Sequence, residues 1–499
     1  MKIKKLLAIL IIATLFPWLF YEHFIGLNLF LFNLLIFAGL YITGKLDLKS
    51  PLNAYISAGT LLTAIFVVYN GTSLAVFINI LSLFLLAGTT LFPKGRNLFY
   101  TSLISFINFF TAQLSLISLI RDFKKGAVTF KVFRIIKLVI IPLLVVLFFM
   151  YLYKTANPVF EEMVQSLFDA ISRFFTWLSD YIEFPLFMTF VLGLLLADYF
   201  LLGKPNKFIA GLDERSSDRL VRRRKRVFTG FKITGLKSEY KTAVILFALL
   251  NLLILVVNLI DIWWVWFHFE WNGKYLKQFV HEGTYMLIFS ILVSLAISIF
   301  YFRGNINFLK DNRLLRNLAY VWLAQNAILT ISVGIRNFWY IHYFSLAYLR
   351  IGVIFFLLLT LFSIYTVYLK IRDKKTTYFL FRKNALAAYV LLVVMAFFNW
   401  DIIIARYNFS HAKTAFVHYD FLADLSTNAL PYLMKTRTEL LEIDTFQKEK
   451  FPFREQYMTR DEYLEKIKWR KKDFLESWPK RSWQEWNLAS ERAYRKLKE

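Results

Sequence analysis

Long apolar runs and short polar connections alternate along most of this chain. Roughly twelve runs approach the length of about 20 residues that crosses a bilayer as a helix. They lie near 6–20, 26–43, 53–70, 73–93, 98–120, 138–155, 185–203, 242–267, 284–302, 317–335, 347–369 and 385–405. The pattern predicts an all-α fold, a polytopic transmembrane helical bundle of about 11–12 apolar segments with a small helical C-terminal tail.

The same pattern predicts three regions. N-terminal membrane segments occupy 1–137, the main bundle 138–406, and a soluble helical tail 407–499. Within the first region, Asn108 and Gln113 weaken 98–120 as a lipid-exposed span, so we expect it to be re-entrant; the alternatives are that it lies flat or that an earlier segment fails to cross. The helical spacing of 157–183 predicts an amphipathic helix on the outer face.

Basic residues predict the orientation, because cytoplasmic connections carry an excess of Lys and Arg. "MKIKK" at the N-terminus, "PKGR" at 93–96 and the long basic loop 204–241 are all expected in the cytoplasm. The first apolar run lacks a small-x-small cleavage site and is expected to remain as a helix. The N-terminus is therefore predicted to be cytoplasmic and the tail extracytoplasmic.

Composition supports a membrane protein and excludes several other classes. Hydrophobic residues make up 58% of the 499 residues, and there is no cysteine, so thiolate metal sites and disulfides are excluded. The net charge of +26 follows from topology, and nothing indicates nucleic-acid binding. Membrane lipids are the expected partners. A basic run is either a contact for anionic lipid or a solvated topogenic signal; it consists of Arg222, Arg223, Arg224, Lys225 and Arg226.

Charged residues near the outer ends of the later spans are the candidate functional site. Charges within a bilayer are costly and usually face partners or water. Either each side chain reaches separately to the headgroups, or they share one polar pocket. The candidates are Asp261, His281, Glu282, Arg336, Arg350, Asp401 and Arg406.

The segment "NWDIIIARYN" (399–408) makes this hypothesis specific. On one helix Asp401 and Arg406 lie about 140° apart, so they are not expected to pair with each other. Asp401 therefore needs a base from a neighbouring span. Arg350 is the first choice and Arg336 the second.

No enzyme motif supports a particular reaction. The chain lacks GxxxxGK[ST], GxSxG and HExxH sequences, and we expect neither a metal nor a cofactor. Three functions remain open. The first is a transport or sensing protein that binds an unknown ligand in the outer pocket. The second is an enzyme acting on a lipid or lipid-linked substrate, with His281 or Glu282 as acid or base. The third is an assembly factor whose tail binds a protein partner.

The tail carries two helix-start signals. "TRDE" (459–462) and "SWQE" (482–485) both fit the capping box, in which a Ser or Thr caps the helix and a Glu three residues later reaches back. Pro479 is expected to separate the two helices that they start.

Several segments also carry a family resemblance. They include "LNLLILVVNLIDIWWVW", "YVWLAQNAILTISVGIRNFWYI", "YLRIGV", "NWDIIIARYN" and "YDFLADLSTNALPYL". In this combination and order the chain resembles the uncharacterised bacterial membrane-protein family catalogued as domain of unknown function 4173, over roughly 185–434. The resemblance implies an integral membrane protein without an assigned activity. We expect its location to be the bacterial inner membrane.

Overall fold

A computed structural model of the protein describes residues 2–123, 142, 146–150, 153–154, 157–179, 183–222, 235–269, 276–452 and 456–499. Within these ranges the chain is helical, and nine helices are long and apolar enough to span a membrane. The protein is therefore an all-α, multi-pass membrane protein, as the apolar pattern predicts.

One group of helices comes mainly from the N-terminal part of the chain. Their apolar side chains form a continuous core that includes Ile9, Ile36, Ile56 and Leu86. The members are α1 (Lys2–Phe20), α2 (Leu27–Ile42), α3 (Pro51–Asn70), α4 (Ser73–Leu91), α5 (Leu98–Phe123) and α7 (Phe184–Leu201). We call this group the N-terminal bundle. The amphipathic helix predicted for 157–183 is observed as α6 (Pro158–Ser179), and Met163, Leu167 and Phe168 on it are exposed.

A second group packs around its own core, which includes Phe247, Ile291, Leu323 and Val367. Its members are α9 (Leu236–Asp261), extended by a π-helix (Ile262–Phe267), α10 (Leu276–Tyr301), α11 (Arg313–Phe344), α12 (Tyr348–Arg372) and α13 (Thr377–Phe397). We call it the C-terminal bundle. Helix α13 belongs to both bundles, because Leu380 lies in this core and Tyr389 lies in the N-terminal one.

The connections between helices meet at two opposite faces. At one face, Lys45 donates to the carbonyl of Gly203, Arg96 donates through its backbone N–H to Asp213, and Leu220 donates to Lys374. This basic face includes the short helix α8 (Lys207–Arg215). The connections 21–26, 71–72, 345–347 and 398–399 lie at the other end, which we call the tail face.

The tail covers that second face. After α14 (Trp400–Ser410) come α15 (Tyr419–Ala423), α16 (Leu430–Leu433), α17 (Arg437–Lys450), α18 (Arg460–Ser477) and α19 (Leu488–Lys498). The tail contacts the α1–α2 connection, where Leu27 donates to the carbonyl of Trp486 over 3.0 Å. At Gly71, whose φ of +58° favours glycine, an added Cβ would lie 2.4 Å from Asn487 Oδ1.

Three predicted segments have different outcomes. The last span is shifted toward the N-terminus: it ends at Phe397, because Asn399 caps a separate helix by accepting from the N–H of Ile402. The stretch 98–120 lies within one unbroken helix, so no chain reversal occurs inside it. Residues 124–141, which follow this helix, lie outside the described residues. Most of the run 138–155 is also outside them.

The two capping-box predictions for the tail have different outcomes. Thr459 and Glu462 form the predicted box at the start of α18. The second prediction is wrong, since Trp483–Glu485 is one turn of 3-10 helix and Ser482 makes no cap hydrogen bond. Asn487 caps the final helix instead, accepting from the N–H of Ser490 over 2.9 Å.

Candidate functional site

Asp261 and Arg336 form a buried ion pair between α9 and α11. Asp261 lies at the end of regular α-helix, where the backbone changes to the π-helical turn, and both side chains are at least nine-tenths buried. Amides continue this polar seam toward the basic face, since Gln325 donates to the side chain of Asn251 over 2.7 Å. Two of the sequence candidates are thus brought together, as a pair of opposite charges in a low-dielectric interior.

Arg350 binds backbone carbonyls at the end of α11. Its Nη1 donates to the carbonyl of Phe344 over 2.5 Å and also to that of Ser345, whose φ is +69°. The guanidinium lies over the ring of Tyr340, 4.1 Å from its centroid. Cations suit helix C-termini because the last carbonyls there lack helical donors. Arg350 therefore closes the α11–α12 turn.

The predicted Asp401–Arg350 pairing is wrong, and so is the second choice of Arg336. Asp401 accepts hydrogen bonds from the hydroxyl of Tyr348 and from the backbone N–H of Ser426, the latter over 3.2 Å. It lies in the first turn of α14, where the helix dipole also favours a carboxylate. A neutral hydroxyl and a backbone amide thus replace the arginine that spacing predicted.

Some candidates cannot be placed. The side chains of His281 and Glu282 lie outside the described part of the structure, and so do residues 223–226 of the basic run. Arg222 is exposed at the basic face. In the ranges that are described, no three His, Asp or Glu side chains are close enough together to hold a metal ion.

Arg406 lies at a different site, beside the tail. It donates to the hydroxyl of Tyr432 over 2.5 Å, and its guanidinium lies 4.1 Å from the centroid of that ring. Lys496 of α19 donates to the same hydroxyl over 3.0 Å. Tyr432 is therefore held between a cation from the membrane-proximal helix α14 and a cation from the tail.

These residues border a cleft of about 660 Å³, which we call the tail cleft. Its floor consists of the ends of α3 and α13 and the first turns of α14, with Phe397, Phe398 and Ile402 as apolar lining. Its other wall is the tail, where Asn428 donates to the carbonyl of Asn70 over 3.0 Å and accepts from Ser490. The remaining lining residues include Tyr69, Asn399, Ile403, Pro431, Arg492 and Arg495.

The tail cleft is strongly positive. Arg406, Arg492, Arg495 and Lys496 line it, and its lining contains no acidic residue. Only Arg495 has a carboxylate partner within ion-pair distance in the described part, namely Glu491 at 2.7 Å. Burial acts to raise the pKa of Tyr432, but hydrogen bonds from Lys496 and Arg406 outweigh it and leave that pKa below its ordinary value.

Among the described residues, three of the candidates line separate clefts. Arg350 and Asn337 line a small cleft beside α10, Asp401 lines another with Tyr348, and Arg406 lines the tail cleft. Sequence reasoning selected Arg406 but missed Tyr432, Arg492 and Lys496, which reach the site only after the tail folds back. The clustered Lys and Arg of α19 were the available signal.

Sequence reasoning also missed a polar interior in the N-terminal bundle. Asn33 donates to Asn79 over 2.9 Å, and Asn79 donates to Thr63 over 3.1 Å, all fully buried. Nearer the basic face, Thr89 donates to Asn53 over 3.0 Å. Asn and Thr inside the apolar runs indicated such contacts, because buried polar groups need partners.

Comparison with known proteins places the chain in a family. Residues 56–436 match the family described as Domain of unknown function (DUF4153). The chain belongs to that family. The expected resemblance to an uncharacterised membrane-protein family is supported, but the number 4173 is not. No curated protein and no solved structure matches the chain. The family assigns no activity. That the protein is an integral membrane protein follows from the nine long apolar helices of the described residues.

Proposed function

We propose that the protein is a membrane-embedded binding protein of the transport or sensing class, and that its ligand is a lipid with a phosphate-bearing headgroup. The tail cleft is the proposed site. The observation that carries the proposal is the group of Arg406, Arg492 and Lys496, which have no carboxylate partner in the described structure, above an apolar floor. Arg and Lys are the side chains that bind phosphate, and the floor suits the glycerol and first acyl carbons.

The place of the cleft supports a lipid over a soluble ligand. Its floor is made by Tyr69 and Phe397, at the ends of helices that are long and apolar enough to span a membrane. A lipid in that leaflet has its headgroup at this level, so it reaches the cations by lateral diffusion. Each basic residue near such a surface contributes about 1 kcal/mol to anionic-lipid binding.

We further propose that the tail face is extracytoplasmic and that the membrane is the bacterial inner membrane, with the N-terminus in the cytoplasm. The connections 21–26, 71–72, 345–347 and 398–399 contain no Lys or Arg. At the basic face, Lys45 and Lys49 lie in one connection, and Lys94 and Arg96 lie in the next. The excess of basic residues in short connections marks the cytoplasmic side.

Lipid binding is tested by native mass spectrometry of detergent-purified protein titrated with phosphatidylglycerol. Replacing Arg406 and Lys496 together by Gln removes two contacts, so affinity should fall roughly thirtyfold at about 1 kcal/mol each. Phosphatidylcholine, which has no net charge, should bind the wild type weakly. Inorganic phosphate is the soluble comparison and should not displace the lipid at equal concentration.

The control replaces Lys468 and Lys472 by Gln. This control has the same net charge as the Arg406 and Lys496 double variant. It leaves the cleft intact, because Lys468 and Lys472 are both exposed on α18. Equal losses in the two double variants mean nonspecific attraction and reject the cleft as the site. Displacement by inorganic phosphate rejects a lipid ligand.

The orientation is tested by cysteine labelling, since the chain has no cysteine. A membrane-impermeant maleimide should label Lys472→Cys in intact cells and Arg222→Cys only after lysis. Lys472 suits this probe because it is exposed, whereas Arg470 donates to the carbonyls of Ala423 and Leu425. The reverse labelling pattern rejects the proposed orientation.

A further inference from the structure

Besides Asp261 of the C-terminal bundle, a carboxyl group is buried in the N-terminal bundle, far from the tail cleft. Asp198 lies near the end of α7, one turn before the connection at the basic face, and its side chain has no exposed surface. Neither carboxyl oxygen has a hydrogen-bond partner in the described structure. Ala197, Phe200 and Leu201 beside it are core residues. A group that is normally charged is thus enclosed, and none of the described residues makes a compensating contact with it.

The ionisable groups on the packed elements do not supply a counter-charge. Helix α7 packs against α1, α2 and α5. Lys45 Nζ, from the α2–α3 connection, donates to the carbonyl of Gly203, and Tyr199 points toward Ser105. No ion pair joins Asp198 to a cation in the described residues. The other ionisable residues of these elements are Lys2, Lys4, Lys5, Tyr41, Tyr100, Arg121, Asp122 and Lys204.

Helix geometry places several of these groups at other levels. Lys45 is bonded to the carbonyl of Gly203, which lies two residues past the end of α7. Gly203 is five residues beyond Asp198, a separation of about 7.5 Å at the helical rise per residue. Asn108 of α5 donates to the carbonyl of Tyr199, so Arg121 and Asp122 lie about 20 Å further along that helix. Tyr41 is 76% exposed. An ionised Asp198 would therefore have no solvent and, among the described residues, no cation in contact with it.

We propose that Asp198 is a proton-binding site inside the N-terminal bundle, holding its carboxyl as the neutral acid in this conformation. Removing an unpaired carboxylate from water costs far more than burying the protonated acid, so the interior selects the form that carries the proton. Ionisable groups within membrane spans are characteristic of proton relays in pumps and transporters. This site is separate from the tail cleft and does not depend on lipid binding there.

Dicyclohexylcarbodiimide, an apolar reagent that adds to protonated carboxylic acids, is the first test. Mass spectrometry of the purified protein should find one carbodiimide added to the peptide containing Asp198, with less added as pH rises. Asp198→Asn should remove the addition. Asp213 is the matched control, because it is also buried but accepts from Tyr378 and from the backbone of Arg96; it should not react. Equal reaction at Asp213 overturns the proposal. Protection of Asp198 from the carbodiimide by Na⁺ at constant pH would show that the site binds a metal cation and not a proton, and it too overturns the proposal.

The second test does not depend on the reagent reaching the site. An unfolded aspartic acid ionises near pH 4, whereas by our proposal the folded protein keeps this proton, so the unfolded state should bind fewer protons above pH 4. Wild-type stability should therefore fall relative to Asp198→Asn as pH rises from 4.5 to 8. A constant difference in melting temperature over this range overturns the proposal, whether or not the carbodiimide reacts. A difference that widens with pH supports it.

Discussion

Two aspartates are buried among the membrane helices, and their surroundings are opposite. Asp261, at the tail-face end of the C-terminal bundle, is paired with Arg336. Asp198, at the basic-face end of the N-terminal bundle, has no hydrogen-bond partner in the described structure. The same residue type is thus a charged component of an ion pair in one bundle and, by our proposal, a neutral acid in the other. The partner, and not burial alone, decides the charge.

The largest effect should come from breaking the paired site. Arg336→Met leaves Asp261 buried without its cation and should lower the free energy of unfolding by about 3–5 kcal/mol. Chemical unfolding in detergent, followed by tryptophan fluorescence, measures the change. The double variant Arg336→Met with Asp261→Leu should recover most of the loss, because both charges are removed. If the double variant is no more stable than the single one, the pair does not account for the loss.

A smaller effect is expected at Asp401. In its contacts this residue is intermediate between the two buried aspartates, because it accepts hydrogen bonds from uncharged donors. Tyr348→Phe removes one hydrogen bond to this carboxylate but leaves the N–H of Ser426 in place. Because the site is partly exposed, we expect a loss of about 1–2 kcal/mol in the same unfolding assay. Tyr365→Phe, an exposed tyrosine on the same helix, is the control. Equal effects would show that the hydrogen bond to Asp401 contributes nothing.

At Asp198 itself the effect of substitution should be small in acid. Asn has nearly the shape of the neutral acid, so Asp198→Asn should change the free energy of unfolding by less than about 1 kcal/mol at pH 5. Asp261→Asn, which breaks the ion pair, should cost several times more at the same pH. Equal losses for the two variants would remove the contrast between the bundles.

The smallest effect concerns Lys45, which lies on the basic-face side of Asp198. Burial lowers the pKa of Lys45 to about 7, and nearby Lys5 adds to the shift. Between pH 7 and the ordinary lysine pKa near 10.4, the unfolded chain binds more protons, so this residue makes stability rise with pH. Lys45→Met should flatten the profile of melting temperature between pH 7 and 9. An unchanged slope would show that Lys45 keeps its ordinary pKa.

The sequence was sufficient for the class of fold and insufficient for the contacts. Apolar length predicted most spans, since that property depends on local residues alone. The partner of Asp401 was missed because Asn399 was assigned to the interior of a span. Asn before a helical run is a helix-start signal, and it was readable here. Asp198 was also readable, as an acid within an apolar run, but its lack of a partner requires the fold.

The tail cleft was beyond prediction for another reason. Its walls join Asn70 to Asn428 and Tyr69 to Arg492, residues separated by several hundred positions. No periodicity within a single helix encodes such pairings. The sequence showed that α19 is basic, but it did not show that Lys496 of this helix contacts Tyr432.

The covering of the tail face has a consequence for the order of biosynthesis. The α1–α2 and α3–α4 connections leave the ribosome early, yet their partners Trp486 and Asn428 are translated after the spans described here. The tail face of the N-terminal bundle therefore stays uncovered until Trp486 has been translated. A chain that stops before residue 427 lacks one of the two amide donors to the Asn70 carbonyl, Asn428, and one wall of the cleft. A surface of the kind that membrane quality-control proteases recognise is thus exposed until the tail helices have been translated.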